Sequence, residues 1–308
     1  QRDMYLHLCD WKQRNITDQP GSYGGKEYDV ILPDSMQQSL PHLYGPVRQR
    51  FWEHQKKFPF KTHRFAGHLA SSQVACANLF LPLMEAPIAA ARILRAVKPD
   101  LKSIAIDMLD RGFRTEFWDE GVNRLGDHCA HSGTDADFAI AYRNDEDELC
   151  LWLIEHKLTE AEFTTCGAYR SRANQHKDDC DHNAAAQRGP DACYYHAVRK
   201  FNYWDITNAN PDAFPPENLR NEAECPFKGG MNQLWRNQLL ATAIEADPAE
   251  PYEKVFFSVV YHSGNKSLFP SMLKFKNLIG QKDRFFWFTS GQVVDAAREI
   301  NNKDIQMW

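Results

Sequence analysis

The fold is decided by the run Leu149–Lys157, which reads LCLWLIEHK. The part LCLWLI is apolar without a break, which is typical of a strand that is buried on both faces of a sheet. Glu155 and Lys157 close the strand, and they point to the same face because side chains alternate along a strand. A carboxylate and an ammonium are costly at the end of a buried strand unless they are paired or bind a ligand. We therefore expect a functional site at this end.

A second pair of acids enters the strand that precedes this one. Asp135-Ala136-Asp137 leads into a run over 136–142 with strand character, and the turn-rich stretch 144–147 separates that run from Leu149. So short a connection implies antiparallel neighbours. The hairpin is expected to bring Asp137 beside Glu155, with Asp135 on the same face as Asp137 if the strand already includes Asp135.

The remaining elements extend outward from this hairpin and indicate an α/β fold around a mixed central sheet. Residues 1–46 are rich in Gly, Pro, Asp and Gln and are expected to be irregular. The helical patterns lie at 68–97 (two pieces split near Pro82 and Pro87), 101–109, 231–245, 271–279 and 292–301 (capped by Ser290). The strand patterns lie at 113–118, 136–142, 149–157, 254–261 and 285–289.

The acids and the lysine form a coherent set for phosphoryl chemistry. The carboxylates of Asp137 and Glu155 and the backbone carbonyl of His156 are hard oxygen ligands of the kind that Mg²⁺ prefers. Asp135 is a further candidate metal ligand, and Glu116 on the first strand is another, although a surface glutamate explains Glu116 equally well. A bound Mg²⁺ would activate water, and Lys157 would orient that water and stabilise transition-state charge. The alternative is a plain ion pair at a strand end.

At these residues the sequence resembles the PD-(D/E)xK nuclease superfamily, which has the restriction-endonuclease-like fold. Asp137 takes the place of the first acid and Glu155-x-Lys157 that of the (D/E)xK motif, although the proline before the first acid is missing. The approach Gly133-Thr134-Asp135-Ala136-Asp137 is similar to that of RecB-like members. The resemblance implies a core of helix, three antiparallel strands, helix and strand. It also implies cleavage of DNA with Mg²⁺ or Mn²⁺, usually leaving 5′-phosphate and 3′-hydroxyl ends.

The resemblance also suggests a domain division. Residues 68–308 would form the nuclease-like domain, residues 1–67 an N-terminal extension packed on it, and residues 158–229 a Cys- and His-bearing insertion. The helix after the lysine strand carries a Gln near the active site in RecB-like nucleases, and Gln233 is the matching candidate. Asn237 stands where a Tyr is usual. Gln73, on an earlier helix, is a weaker candidate, and a solvated polar helix face is the alternative for Gln233.

A basic segment over 48–64 supplies candidate DNA contacts. Cations neutralise phosphates, and the interleaved aromatic residues could stack on unpaired bases. The alternative is a solvated basic segment whose aromatic residues pack on the core. The candidate phosphate contacts, including one on the later helix, are Lys56, Lys57, Lys61, Arg64 and Arg236.

Four cysteines of the 158–229 segment are candidate ligands of a structural metal. Cys166, Cys180, Cys193 and Cys225 could hold Zn²⁺ or an iron–sulfur cluster, but none of the pairs has C-x-x-C spacing. Ordinary reduced cysteines are the alternative. A rival function follows from the metal hypothesis: a non-catalytic nucleic-acid-binding protein that folds around such a Cys/His site.

Length, charge and the distribution of apolar residues exclude some classes of protein. The chain has 308 residues and a net charge of −5, which excludes a uniformly basic nucleic-acid coat but allows a local basic track. No apolar run reaches the roughly 20 residues that cross a bilayer. The N-terminal stretch 1–14 lacks the apolar core of a signal peptide, and a cytoplasmic setting is expected. DNA is the expected partner, a homodimer is left open, and the resemblance suggests restriction or phage defence.

Overall fold

The centre of the molecule is a six-stranded mixed sheet, seen in a computed structural model that describes residues 2–129, 133–300 and 305. After a small hairpin of β1 (Gly21–Tyr23) and β2 (Lys26–Tyr28), the strands of this sheet are β3 (Leu101–Ile104), β4 (Phe113–Phe117), β5 (Ala136–Asn144), β6 (Leu149–Lys157), β7 (Lys254–Tyr261) and β8 (Phe285–Thr289). Their order is β3-β5-β6-β7-β8, and β4 also pairs with β5. Pairing is antiparallel from β3 and β4 through β5 to β6, and parallel from β6 through β7 to β8.

Helices flank this sheet. The helices that precede strand β3 in the chain are α1 (Arg2–Asn15), α2 (Asp34–Gln37), α3 (Gly45–Lys57), α4 (Ser72–Met84) and α5 (Pro87–Leu94). Those between β6 and β7 are α6 (Gly167–Arg170), α7 (Lys177–Asp181), α8 (Ala184–Arg188), α9 (Tyr194–Ala197), α10 (Tyr203–Ala209), α11 (Pro216–Arg220) and α12 (Asn232–Glu245). The last helices are α13 (Phe269–Leu278) and α14 (Ser290–Arg298), and short 3₁₀ turns cover Pro190–Ala192 and Lys266–Leu268.

Strand β6 is buried along its whole length because a layer of helices covers each face of the sheet. Leu151 and Leu153 point into a core shared with α12 and the 158–229 segment. Trp152 and Ile154 point into the opposite core, which contains α4, α5 and part of α3. Alternation along the strand divides these side chains between the two cores, and the apolar run of LCLWLI is thereby explained.

Most of the predicted sheet is confirmed. The strands Leu149–Lys157, Lys254–Tyr261 and Phe285–Thr289 have the predicted bounds, and β5 continues beyond the predicted 136–142 to Asn144. The predicted helix 231–245 is α12, which begins one residue later. The mixed sheet with helices on both faces is compatible with a restriction-endonuclease-like fold.

Two expectations were wrong. The pattern over 101–109 predicts a helix, but Leu101–Ile104 is strand β3, whose two buried end residues pair with the edge of β5. Apolar residues three apart suit either element, and pairing with β5 decides the outcome. Residues 1–46 were expected to be irregular, yet they contain helix α1, the β1–β2 hairpin and helix α2.

Smaller corrections concern helix ends. Pro82 lies inside α4, and the break falls at Glu85 and Ala86 instead, before the proline that begins α5. The residue that caps α14 is Thr289, through a capping box with Gln292, and Ser290 is already helical. The predicted helix at 271–279 begins earlier, at Phe269. The last residue of the predicted helix 292–301 lies outside the described residues.

The N-terminal part is packed into the body of the protein. Val47 and Phe51 of α3 are buried in the same core as α4 and α5. The 158–229 segment consists of short helices and turns, which explains why no periodic pattern predicted it. In the described part of the chain, no helix has both the length and the apolar character needed to cross a membrane.

Candidate active site

The β5–β6 hairpin brings Asp137 and Glu155 together. Phe138 is paired with Ile154, so the next rung of the ladder places Asp137 opposite Glu155 on one face of the sheet. The Oδ2 atom of Asp137 accepts a 2.7 Å hydrogen bond from the backbone N–H of His156. The arrangement expected from the turn and the strand alternation is therefore present.

Glu155 is held by three side chains. Its Oε1 atom lies 2.9 Å from the Nζ of Lys157 and accepts a 2.7 Å hydrogen bond from the Nε2 of Gln233. Its Oε2 atom accepts a 2.8 Å hydrogen bond from the Nδ2 of Asn237. Gln233 and Asn237 are one turn apart on α12, so the helix fixes the orientation of the carboxylate from above the sheet.

Glu116 adds a third carboxylate to the same face. The β4–β5 register pairs Thr115 with Phe138 and Phe117 with Ala136, which puts Glu116 beside Asp137. The backbone of Glu116 has a φ of 48°, an unusual value for a residue in a strand. Gln73 on α4 lines the cleft over these acids and acts to lower the pKa of Glu116, so this weaker candidate also reaches the acids. Acids from three adjacent strands thus form a row.

The charges of this row are strongly coupled. Burial raises the pKa of Asp137 well above its usual range, and the neighbouring Glu155 and Glu116 raise it further. Burial also raises the pKa of Glu116 to about 8, with contributions from Asp135 and Glu155. For Lys157, burial acts to lower the pKa, but Glu155, Glu160 and Asp137 outweigh that effect and raise it. The ammonium therefore stays charged, and the acids around it favour a further cation.

A cleft of about 660 Å³ opens over these residues. The acids Glu116, Asp137, Glu155 and Glu160 line it together with Lys157 and Gln233. Aromatic side chains from the first 68 residues line the same cleft, among them Tyr5, Tyr23, Tyr28, His63 and Phe65. The N-terminal part of the chain is therefore a wall of the candidate active site.

A comparison with known families decides which family the chain belongs to. A family model described as "Restriction Endonuclease associating with ARP" matches residues 5–295, which is nearly the whole chain. The chain belongs to this family of restriction endonucleases. No curated protein and no solved structure matches the chain.

In this member of the family, the donor chemistry of the cleft fits a hard divalent cation. The carboxylates of Glu116, Asp137 and Glu155 share one face, and their mutual repulsion raises the pKa values of Glu116 and Asp137. A bound cation would relieve that repulsion. Within residues 2–129, 133–300 and 305, no three His, Cys, Asp or Glu side chains already stand close enough together to enclose a metal ion.

Two of the predicted metal ligands stand apart from the row. The carboxylate of Asp135 is exposed and pairs with the Nε2 of His128 at 3.0 Å. The imidazole of His156 is buried, and burial lowers its pKa to about 4, so this ring is neutral. The backbone N–H of His156 donates to Asp137, whereas the predicted metal ligand is its backbone carbonyl, which stays a prediction.

The predicted DNA-contacting cations differ in their surroundings. Lys57 pairs with Asp110 at 2.7 Å, and Arg236 donates to the backbone of Gly133 at 3.3 Å. The guanidinium of Arg64 stacks over Phe65, which lines the cleft, while Lys56 and Lys61 are exposed. Phe51, one of the interleaved aromatic residues, is packed in the core.

Sequence reasoning missed two groups of cleft residues. Glu160 accepts hydrogen bonds from the backbone N–H groups of Leu158 (2.8 Å) and Thr159 (3.0 Å), and it faces Lys157. The only available signal was its position three residues after the lysine. The tyrosines Tyr23 and Tyr28 carried no signal that linked them to the acids, because the link arises from tertiary packing.

Proposed function

We propose that this chain is a PD-(D/E)xK endonuclease that hydrolyses DNA phosphodiester bonds with Mg²⁺ or Mn²⁺. The observation that carries the proposal is the placement of Glu155 and Lys157 on one face of β6 with Asp137 opposite them on β5. Membership in a family of restriction endonucleases supports DNA as the substrate and a role in restriction or phage defence.

The roles follow from position. Asp137, Glu155 and the backbone carbonyl of His156 would hold the ion, with Glu116 or Asp135 as further ligands. When bound, the ion polarises a phosphoryl oxygen and lowers the pKa of coordinated water. Lys157 carries a charged donor at the edge of this site, where it orients the attacking water and stabilises the negative charge that develops on the phosphate.

Gln233 and Asn237 act as positioning residues for Glu155. Each donates one hydrogen bond to a different carboxylate oxygen, so together they restrict rotation of the carboxylate about its last torsion. Hydrogen bonds to a charged acceptor are among the stronger ones. The α12 helix thereby holds the acid in the orientation in which it can share a cation with Asp137.

The experiment that tests the proposal uses purified chain on supercoiled plasmid and on linear duplex and single-stranded DNA. We expect cleavage with Mg²⁺ or Mn²⁺ and none with EDTA. Equal cleavage in EDTA would show that the acids do not work through a cation.

The rival function is a non-catalytic nucleic-acid-binding protein with a Cys/His metal site. It predicts DNA binding without cleavage under every metal condition, and binding that Glu155→Gln leaves unchanged. That pair of results would replace the nuclease proposal.

The aromatic side chains that line the cleft lead to a prediction about substrate contact. Tyr23 lines the cleft, is 53% exposed and packs edge-on against Phe65, with ring centroids 5.2 Å apart. If it stacks on an unpaired base, Tyr23→Ala should weaken binding of a single-stranded oligonucleotide about 5- to 160-fold, since such stacking is worth about 1–3 kcal/mol. Fluorescence anisotropy in EDTA measures this without cleavage.

Tyr23→Phe is the matched control because it keeps the ring and removes only the hydroxyl. It should bind like the wild-type chain. If Tyr23→Ala binds the oligonucleotide as tightly as Tyr23→Phe, the wall does not contact bases, and the nuclease proposal is unaffected.

A further inference from the structure

A buried histidine of helix α3, His54, contacts the backbone of strand β4 one residue before Glu116. His54 is only 1% exposed. Its Nε2 atom accepts a 3.1 Å hydrogen bond from the backbone N–H of Thr115, which is buried as well. Because Glu116 follows Thr115 directly and lines the cleft, this hydrogen bond holds the chain at the point where it delivers an acid to the candidate active site.

The second ring nitrogen of His54 determines which nitrogen can accept this hydrogen bond. Its Nδ1 atom lies 2.9 Å from the Oδ2 of Asp110, and an ionised carboxylate can only accept. The proton of the neutral ring is therefore on Nδ1, and Nε2 has the lone pair that the N–H of Thr115 requires. Burial lowers the pKa of His54, although Asp110 acts to raise it, and the ring is accordingly neutral.

Asp110 is itself fixed by two cations of α3. Its Oδ1 atom lies 2.7 Å from the Nζ of Lys57, and its Oδ2 atom lies 3.1 Å from a guanidinium nitrogen of Arg50. Burial acts to raise the pKa of Asp110, but Lys57, His54 and Arg50 outweigh that effect and lower it, so the carboxylate stays charged. Three side chains on one face of α3 thus meet a single carboxylate from the turn before β4.

The backbone at Glu116 requires support of this kind. Its φ of 48° lies in the left-handed region, which a residue other than glycine rarely adopts. Such a conformation persists only where the surrounding structure over-determines it. The β4–β5 ladder pairs the residues on both sides of Glu116 with β5, and the hydrogen bond from Thr115 to His54 fixes the chain immediately before it.

We propose that His54 is a positioning residue, which holds the backbone of β4 so that the Glu116 carboxylate stands beside Asp137 in the cleft. The contacts run from Asp110 through the imidazole to the N–H of Thr115, and from there along the chain to Glu116. His54 is buried, so it acts through the backbone and not by touching the substrate. This role rests on the proposed function, since Glu116 affects cleavage only if the acids of the cleft take part in it.

Two amide side chains separate the two hydrogen bonds of the ring. In His54→Gln, the amide oxygen reaches the position of Nε2 and can accept from Thr115. In His54→Asn, the shorter amide can replace Nδ1 as the donor to Asp110 but does not reach Thr115. We expect His54→Asn to lower the rate of DNA cleavage about 10- to 100-fold, the usual cost of losing a residue that orients an active-site acid from behind. His54→Gln should retain most of the wild-type rate.

A second background distinguishes positioning from general support of the fold. Glu116→Gln removes the carboxylate that His54 is proposed to orient, and it should itself slow cleavage. If His54 acts through Glu116, His54→Asn lowers the rate no further in the Glu116→Gln chain. The proposed role is excluded if His54→Asn cuts at the wild-type rate, if His54→Gln loses as much activity as His54→Asn, if Glu116→Gln cuts like the wild-type chain, or if His54→Asn has its full effect in both backgrounds.

Nuclear magnetic resonance of the ¹⁵N-labelled wild-type chain covers the case in which the His54 variants do not fold. We expect a scalar coupling across the hydrogen bond between the Nε2 of His54 and the backbone nitrogen of Thr115, and a shift of the Thr115 amide resonance when Mg²⁺ is added. A chain that cleaves DNA but lacks either signal would overturn the role of His54 alone. A chain that shows the coupling but does not cleave DNA with Mg²⁺ would overturn the proposed function, and the role of His54 with it.

Discussion

Lys157→Met is expected to lower the rate of DNA cleavage by about 100-fold or more at saturating Mg²⁺, which is the usual scale for removing one positioned donor or proton-transfer group. Lys157 is only 7% exposed, and its ammonium lies among Glu155, Glu160 and Asp137. No other lysine or arginine lines the cleft among the described residues, so no second ammonium or guanidinium there replaces the lost charge.

Methionine preserves the length and apolar body of the side chain, so the packing of the β6 end should survive. The matched control is Lys254→Met on the neighbouring strand β7. That lysine pairs with Glu148 near the other end of β6, where it is remote from the acids. Initial rates of plasmid nicking, with circular dichroism to verify folding, measure the effect. A folded Lys157→Met chain that cuts as fast as Lys254→Met would exclude a catalytic role for Lys157.

Trp152→Ala is expected to destabilise the fold by about 3–5 kcal/mol, the usual range for removing a large aromatic residue from a core. The indole of Trp152 is fully buried on the α4 side of β6, and its ring lies 5.6 Å from those of Phe286 and Phe288. Its Nε1 donates a 2.7 Å hydrogen bond to the Oγ of Ser258 on β7. Alanine would leave both a cavity and a buried hydroxyl without this donor.

Urea denaturation followed by circular dichroism measures the change in the free energy of unfolding. Trp11→Ala is the matched control, because Trp11 lies on α1 with 36% of its surface exposed. It should cost less than about 1 kcal/mol, as surface substitutions generally do. Equal losses for the two variants would mean that β6 is not the centre of the core.

The hairpin and the parallel strands were predictable because their signals are local. An unbroken apolar run indicates a strand buried on both faces, and a turn-rich link shows that its neighbour is antiparallel. The predicted pairing of Asp137 with Glu155 follows from these two facts alone. Gln233 was placed by resemblance, and its hydrogen bond to Glu155 is now seen.

Other parts could not be predicted because long-range contacts determine them. Residues 101–104 have a pattern that suits a helix as well as a strand, and only the edge of β5 decides between them. The polar sequence of α1 has no strong apolar stripe, so its periodicity gave no helix signal. The aromatic residues at 51–60 are predicted to be able to stack on unpaired DNA bases, yet Phe51 is packed in the core.

Local patterns are sufficient to predict the buried strand β6, the hairpin that joins it to β5, and the two acids and one lysine at its end, because strand alternation and turn length act over a few residues. Long-range packing is what brings Glu116 and Gln73 to the acids, sets Asn237 on Glu155 and makes the N-terminal tyrosines a wall of the cleft. These neighbours come from segments far apart in the chain, and their meeting depends on how helices pack on the sheet, which no local pattern encodes.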